Sequence, residues 1–309
     1  METWEKLHKS ISSVIKGHGD LVNSVLCCMG AGGHLLLEDY PGTGKTTLAK
    51  SLANSVSGSI FQRIQFTPDL LPSDILGVSI LDPRSGQFTF KKGPVFSNIL
   101  LADEINRASP RTQSALLEVM AEKQATIEGE KYNFEDVFFV IATQNPVEFR
   151  GTFPLPEAQM DRFAMQCTLG YVGVEDEVSI LTDQQSTGHP VDSMSSVVSM
   201  EDVIKWKEEV AAVDISDELK HYIVRLVSAT RDLSGVNLAA SPRASIALMK
   251  VSQALSLMQG KSFVTPDIIK ACAKDVIAHR LILDSDAVFS GKNGRMYVQQ
   301  LLDEISVPA

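Results

Sequence analysis

Cysteine is scarce in this chain, and no pair of cysteines has the spacing of a metal or redox site. The 309 residues include four cysteines, of which Cys27 and Cys28 are adjacent in an apolar, helix-like segment. We expect buried thiols in a reducing compartment. The six histidines form no H-E-x-x-H pair, so a metal enzyme is not expected either.

Long apolar runs and a targeting segment are also missing. The N-terminal residues, METWEK, are charged and lack the apolar core of a signal peptide. No apolar run approaches the roughly 20 residues that a membrane helix needs. We therefore expect a cytoplasmic protein without a membrane span.

Clusters of basic residues are equally rare. The 28 lysines and arginines stand against 38 acidic residues, which gives a formal net charge of −10. The longest basic cluster is the pair Lys91 and Lys92. Binding to nucleic acid irrespective of sequence requires a basic stripe, so no nucleic-acid partner is expected. With 44% apolar and 21% charged residues, the chain is expected to fold, and its length suits two domains.

The first half of the chain alternates short apolar segments with helical patterns. Strands are predicted over residues 34–38, 60–66, 99–103, 137–142 and 163–169, and helices over residues 45–56 and 110–122. This alternation predicts a parallel sheet covered by helices on both faces. Residues 67–93, with a strand–turn–strand pattern, and residues 125–134, with a hairpin pattern, interrupt it.

After Gly173 the sequence predicts helices and no further strand. The predicted helices cover residues 174–185, 200–213, 216–233, 242–258 and 266–278, and the serine-rich residues 193–199 would link the two halves. We therefore expect an α/β domain over residues 1–190 and an all-α domain over residues 191–309.

A glycine-rich segment, PGTGKTT, lies between a predicted strand and a predicted helix. Backbone N–H groups at such a helix start bind phosphate, and glycines let the backbone approach closely. Lys45 would reach the β- and γ-phosphates, and the Thr46 hydroxyl would bind Mg²⁺. Asp39 stands where the general phosphate-loop pattern has glycine, and it tolerates a left-handed backbone better than most residues. The alternative is an ordinary glycine turn before a helix. The nucleotide-binding candidates here are Pro41, Gly42, Thr43, Gly44, Lys45, Thr46 and Thr47.

Polar residues follow two of the predicted strands. Asp103 and Glu104 end the segment NILLADE, and at the carboxyl end of a sheet strand both would face a ligand crevice. Asp103 would hold Mg²⁺ through water, and Glu104 would activate the attacking water. Asn145 follows the next strand and could position that water. Solvated turns are the alternative for all three residues, with an Asn-Pro turn at Asn145.

Two arginines are further candidates. Arg243 lies in the first turn of a predicted helix, where a cation opposes the helix dipole, which hints at an anionic partner such as phosphate. Arg162 follows a short helix-like stretch at residues 155–161, where a cation is electrostatically favoured. For Arg162, a solvated charge and an arginine finger that contacts phosphate remain equally open.

Taken in order, these segments resemble the AAA+ ATPases, and closely the MoxR family. The matching segments are LEDYPGTGKT (37–46), ADEINRA (102–108), ATQNP (142–146), LPEAQMDRF (155–163) and ASPRA (240–244). The resemblance implies a P-loop AAA+ core followed by a helical lid. Lys45 and Thr46 would form the Walker A motif, and Asp103 and Glu104 the Walker B motif. Asp39 fits the Glu-Asp-x-Pro-Gly pattern of this family.

The resemblance also implies roles that the spacing alone does not indicate. Asn145 would be sensor 1, and Arg243 would be sensor 2. Arg162 looks like an arginine finger that is donated to the nucleotide of the neighbouring subunit. Val14 and Ile15 would lie near the adenine ring.

At the level of the assembly, the resemblance implies a ring, often a hexamer, that acts as a chaperone-like machine. Residues 67–93 and 127–134 would be inserts that face the pore of the ring. Family members commonly work with a von Willebrand A-domain partner to mature client proteins or insert their cofactors. We therefore expect an ATPase that uses ATP and Mg²⁺ to remodel a client. The alternatives are a nucleotide-gated binding scaffold and a nucleic-acid motor.

Overall fold

The computed structural model describes residues 2–38, 42–83, 86–127, 129–134, 136–145, 152–183, 185 and 190–308. Its helices are α1 (Thr3–Val14), α2 (Gly19–Gly30), α3 (Lys45–Asn54), α4 (Pro72–Leu76), α5 (Pro110–Glu122), α6 (Glu157–Met160), α7 (Val174–Asp183), α8 (Met200–Ala211), α9 (Asp217–Ala229), α10 (Pro242–Met258), α11 (Pro266–Ile277), α12 (Ser285–Phe289) and α13 (Gly294–Glu304). Its strands are β1 (Leu35–Glu38), β2 (Val56–Ser57), β3 (Phe61–Gln65), β4 (Gly77–Leu81), β5 (Phe88–Lys92), β6 (Ile99–Asp103), β7 (Gln124–Ile127), β8 (Glu130–Asn133), β9 (Phe139–Gln144), β10 (Met165–Cys167), β11 (Val198–Ser199), β12 (Val236–Leu238) and β13 (Ile282–Leu283).

A five-stranded sheet with the order β10-β1-β9-β6-β3 forms the centre of the first half. All of its neighbouring strands are parallel, as the alternating pattern predicted. Strand β6 is buried along its whole length, which explains its continuous apolar sequence. Because the strands run in the same direction, their polar last residues Glu38, Asp103 and Gln144 come together at one edge of the sheet.

The sheet separates two apolar cores. In β1, Leu35 and Leu37 pack into one cluster, whereas Leu36 packs into the other. This alternation follows from the two-residue period of a strand. The cluster of Leu35 and Leu37 extends into the C-terminal helices, where it includes Trp206 and Tyr222. The helical half of the chain therefore shares a continuous core with one face of the sheet.

Two β-hairpins project from the α/β part, where the sequence predicted interruptions. Strands β4 and β5 form one antiparallel pair, and β7 and β8 form the other. The β4–β5 hairpin carries exposed apolar side chains, including Ile80 and Phe88. Each hairpin forms a separate two-stranded sheet and does not join the central one.

The prediction that no strand follows Gly173 is wrong. Strand β11 pairs in parallel with β2, and β12 pairs with β13 in antiparallel orientation. These strands have only two or three residues, so they are too short to produce a recognisable alternation of apolar and polar residues.

The helices of the second half begin at side chains that cap them. Ser199, Ser216 and Ser241 accept hydrogen bonds from backbone N–H groups in the first turns of α8, α9 and α10. Helix α10 has the predicted bounds, whereas α9 ends at Ala229, before the predicted residue 233. Within the described ranges, no helix combines the length and the apolar character needed to cross a membrane.

Candidate functional site

The glycine-rich loop leads into helix α3 with a left-handed backbone. Gly42 has φ 85° and Gly44, the residue before the helix, has φ 98°. These conformations are costly for residues with a Cβ, which is why glycines occur here. Lys45 and Thr46 begin the helix, and its first turn contains no acidic side chain that would repel an anion. Pro41 and Asp39 lie outside the described residues.

A cavity of about 460 Å³ opens beside this loop, and we call it the glycine-loop cavity. Its walls come from three parts of the chain: Val14, Ile15 and Lys16; Gly42, Thr43, Gly44 and Thr47; and Tyr171, Ile180 and Leu181 around α7. The structure therefore brings the loop glycines together with Val14 and Ile15. Sequence reasoning did not single out the α7 residues, and their only signal was an apolar pattern on a short helix.

The two acids at the end of β6, Asp103 and Glu104, are held by side chains from both neighbouring strands. Asp103 Oδ1 accepts a hydrogen bond from the Thr143 hydroxyl at 2.7 Å, and Asp103 Oδ2 lies 2.6 Å from Arg63 Nη2. Glu104 Oε2 accepts hydrogen bonds from Gln65 Nε2 at 2.8 Å and from Arg107 Nη1 at 3.0 Å. Each carboxylate is thus paired with an arginine.

Glu104 has an unusual backbone conformation for a residue with a side chain. Its φ of 56° and ψ of 50° place it in the left-handed region, which costs roughly 1–2 kcal/mol. Its N–H donates to Thr143 Oγ1 at 2.9 Å, so the same threonine that orients Asp103 also fixes the backbone of Glu104. Such strain concentrates at functional sites.

A hydroxyl and a carboxylate are the candidate ligands for a magnesium ion that is bound together with phosphates. Within the described part of the chain, no three or more His, Cys, Asp or Glu side chains are grouped to hold a metal by themselves. Thr46 offers one hydroxyl at the start of α3, and Asp103 offers one carboxylate at the end of β6. Magnesium commonly takes one or two protein ligands and completes its shell with water and phosphate oxygens. This donor set therefore fits Mg²⁺ bound with a nucleotide.

Asn145 lines a different cavity, of about 330 Å³, which we call the strand-end cavity. The Glu38 carboxylate also lines it, fixed by Gln144 Nε2 at 3.3 Å and Gln166 Nε2 at 2.9 Å. His279 reaches the cavity from the C-terminal half. Burial first, and then the neighbouring Arg280 guanidinium, lower the pKa of His279 well below its usual value, so the ring is neutral.

Arg162 and Arg243 lie together in a third place, a cleft of about 210 Å³ that we call the cation cleft. Lys250 and Arg280 also line it. Arg162 Nη1 donates to the Leu117 carbonyl oxygen at 2.8 Å, so the side chain is held against α5 and is not a freely solvated charge. Neither Arg162 nor Arg243 lines the glycine-loop cavity.

A buried ion pair supports the cation cleft. Asp161 Oδ1 accepts a hydrogen bond from Arg280 Nε at 2.9 Å, and Asp161 Oδ2 accepts one from the Ser241 hydroxyl at 2.8 Å. Ser241 caps helix α10, which carries Arg243 two residues later. The carboxylate therefore joins the segment of Arg162 to the helix of Arg243. Sequence reasoning missed this link because Ser241 and Arg280 lie 80 and 119 residues from Asp161 along the chain.

Comparison with family profiles gives two matches. Residues 34–165 match the ATPase family associated with various cellular activities (AAA). Residues 228–301 match the AAA lid domain. The first match contains the glycine loop, both acids, Asn145 and Arg162, and the second contains Arg243.

Similar proteins cover nearly the whole chain. Chaperone MoxR1 of Mycobacterium tuberculosis is 37% identical over 100% of this chain and 83% of its own length. The uncharacterized protein YeaC of Bacillus subtilis is 45% identical over 98% of this chain and 94% of its own length. The crystal structure of an ATPase candidate from Cytophaga hutchinsonii superposes on this structure with a TM-score of 0.92. The two sequences are 39% identical, and the superposition covers 99% of this chain and 94% of that one.

Proposed function

The chain belongs to the MoxR family of AAA+ ATPases, and we propose that it hydrolyses ATP in a ring of identical subunits to remodel or mature client proteins. The observation that carries the proposal is the separation of two sites within one chain. The glycine-loop cavity and the cation cleft are separate, although phosphoryl transfer needs both a phosphate-binding loop and positive charge.

ATP or ADP would lie in the glycine-loop cavity. Its volume of about 460 Å³ is within the usual range for a small-molecule site. The backbone N–H groups from Gly42 to Thr47 would bind the phosphates at the start of α3, and Lys45 would reach the terminal phosphates. Val14 and Ile15 would pack against the base, since both apolar side chains line the cavity.

The acids at the end of β6 would perform the hydrolytic chemistry. Magnesium bound with the nucleotide would offset the charge of the phosphates, held by the Thr46 hydroxyl and, through water, by Asp103. Glu104 would orient the attacking water and accept its proton. Asn145 would help to position that water from the end of the neighbouring strand β9. The fixed backbone of Glu104 supports this assignment, because a base must be positioned before the reaction.

The cation cleft would act on the nucleotide of a neighbouring subunit. Arg162 and Arg243 share this cleft and do not line the glycine-loop cavity of their own chain, which favours a second copy as the source of the phosphates. Because the two arginines are linked through Asp161, both would approach the neighbour together. Repetition of this contact around an axis gives a closed ring, and a hexamer is the size we propose.

The proposed clients are proteins that need maturation or cofactor insertion, reached through a von Willebrand A-domain partner in the cytoplasm. The family membership and the chaperone name of the Mycobacterium tuberculosis relative support a chaperone-like role. The four free, buried cysteines are compatible with a reducing compartment.

The test combines nucleotide binding, turnover and assembly. Lys45→Ala should lose nucleotide binding and turnover. Arg162→Ala should retain nucleotide affinity but lose turnover on the order of 10³-fold, as expected for an arginine finger. Arg231→Ala, which removes an exposed cation elsewhere, is the matched control and should change neither.

Assembly is measured as the solution mass of Glu104→Gln with Mg-ATP and without nucleotide. A ring that forms with ATP supports the proposed function. A persistent monomer, or Arg162→Ala with full turnover, would show that the cation cleft does not serve a neighbouring nucleotide.

A further inference from the structure

We propose that Arg63 is an internal competitor of magnesium, which pairs with Asp103 in the free enzyme and is displaced when the metal–nucleotide complex binds. This inference rests on the proposed function, because it assumes that Asp103 serves a nucleotide-bound metal. It assigns a positioning role to a residue on β3 that no motif of the sequence singled out.

The register of the sheet places Arg63 beside the metal-binding acid. Strand β3 is the edge strand next to β6, and Gln65 is paired with Asp103 while Arg63 is paired with Leu101. Residues two apart on a strand share a face, so Arg63 and Gln65 both extend toward the end of β6. Arg63 Nη2 lies 2.6 Å from Asp103 Oδ2 and 3.0 Å from Gln65 Oε1.

Arg63 and a water molecule bound to the metal would both donate a hydrogen bond to Asp103. Oδ1 of Asp103 is already the acceptor of the Thr143 hydroxyl, at 2.7 Å. Oδ2 is left for a cationic donor, and the Arg63 guanidinium occupies it. A water molecule polarised by Mg²⁺ is likewise a hydrogen-bond donor with positive charge behind it. A carboxylate oxygen can accept two hydrogen bonds, but two donors with positive charge at the same oxygen repel each other, so binding of one would weaken binding of the other.

The burial of the two partners differs, which indicates which of them moves. The Asp103 side chain is 11% exposed, whereas the Arg63 side chain is 46% exposed. A carboxylate with so little access to water needs a cationic or hydrogen-bonding partner. Arg63 can rotate into solvent, because its guanidinium group is close to the surface and its long side chain is flexible. Asp103 would therefore remain in place and exchange one partner for another.

Competition of this kind would weaken the apparent affinity for magnesium. Arg63 would also balance the charge of Asp103 between turnovers, so that a metal ion without nucleotide would bind only weakly. The site would respond to the metal–nucleotide complex, whose phosphates add ligands that a free ion lacks.

The experiment is a Mg²⁺ titration of a fluorescent, non-hydrolysable ATP analogue bound to the full-length protein. Arg63→Gln should lower the half-saturating Mg²⁺ concentration about three- to fivefold, the effect expected for loss of a half-exposed ion pair. Arg63→Lys retains a competing charge and should stay close to the wild type. Arg111→Gln, which removes an exposed cation from α5, controls for the change in total charge.

Thermal unfolding provides a readout that does not depend on the metal titration. In EDTA, Arg63→Gln should have a lower melting temperature than the wild type, because Asp103 has lost its cationic partner. Saturation with Mg²⁺ and the analogue should narrow that difference, since the contact between Arg63 and Asp103 would then be absent from both proteins.

The outcomes separate this inference from the proposed function. An unchanged or higher Mg²⁺ requirement in Arg63→Gln would overturn the competition. Loss of analogue binding by Arg63→Gln in EDTA would also overturn it, because Arg63 would then be a phosphate ligand. If the wild type fails to bind the analogue with or without Mg²⁺, the proposed function itself fails.

Discussion

Replacing Asp161 by asparagine should destabilise the protein more than any exposed charge substitution would. The carboxylate forms an ion pair with Arg280, whose side chain is only 3% exposed, and it also accepts a hydrogen bond from Ser241. Asparagine has nearly the same shape but no charge. The substitution therefore leaves a buried guanidinium group without its counter-ion.

The magnitude follows from what remains around Arg280. Breaking a buried ion pair by removing one partner typically costs about 3–5 kcal/mol. Arg280 Nη2 still donates to the Phe163 carbonyl oxygen at 2.6 Å, and Nη1 still bonds to the Val276 carbonyl oxygen, so part of the cation remains satisfied. We therefore expect a loss of about 2–3 kcal/mol in the free energy of unfolding.

Urea unfolding measures this loss as a lower midpoint with an unchanged slope. Asp217→Asn is the matched control, because it removes a carboxylate from an exposed ion pair with Lys220 and should leave the midpoint nearly unchanged. A double variant with Arg280→Met should be no less stable than Asp161→Asn alone, since the unpaired cation is then gone. Asp161→Asn with wild-type stability would refute the reasoning.

Two further predictions concern buried titratable groups. Burial lowers the pKa of His34 from 6.5 to about 4, and its unfolded state therefore binds a proton first as the pH falls. The stability that comes from neutral His34 is complete above pH 6.5 and declines toward pH 4, and the loss between pH 7 and pH 5 is about 2 kcal/mol. In urea unfolding, His34→Gln should lose this part of the pH dependence. Burial also raises the pKa of Cys167 and of Cys272 to about 12, and raises those of Cys27 and Cys28. Labelling with a thiol reagent should therefore follow the unfolding curve, and rapid labelling of the native protein would contradict the burial of these thiols.

The elements that sequence patterns predicted best are those whose signals are local and strong. Strand β6 and helix α5 have their predicted bounds. The strand is a buried apolar run that ends in a carboxylate, and the helix begins with the capping residue Ser109 followed by Pro110. Strands β11, β12 and β13 lack such signals, because their pairing depends on contacts between distant parts of the chain.

The same distinction applies to the candidate site. The glycine loop and the acids Asp103 and Glu104 lie in short contiguous segments, so their spacing could be interpreted directly. The partners of these acids could not be inferred in this way. Arg63 lies 40 residues from Asp103, and it reaches the carboxylate only because β3 pairs with β6 in one register. A shift of that register by one residue would turn Arg63 to the opposite face of the sheet.

The two segments that carry Arg162 and Arg243 in the cation cleft are linked to each other, and this link could transmit nucleotide binding through the proposed ring. Asp161 connects the segment of Arg162 to helix α10, and the apolar core is continuous from the sheet to the C-terminal helices. Arg162 and Arg243 should then move together. Arg162→Ala would remove one cation and leave Arg243 in position, whereas Asp161→Asn would loosen both. If the proposed ring is correct, Asp161→Asn should lower turnover as well as stability, because Asp161 links the segments that carry Arg162 and Arg243. Turnover that is retained in the folded Asp161→Asn protein would mean that the two arginines act independently.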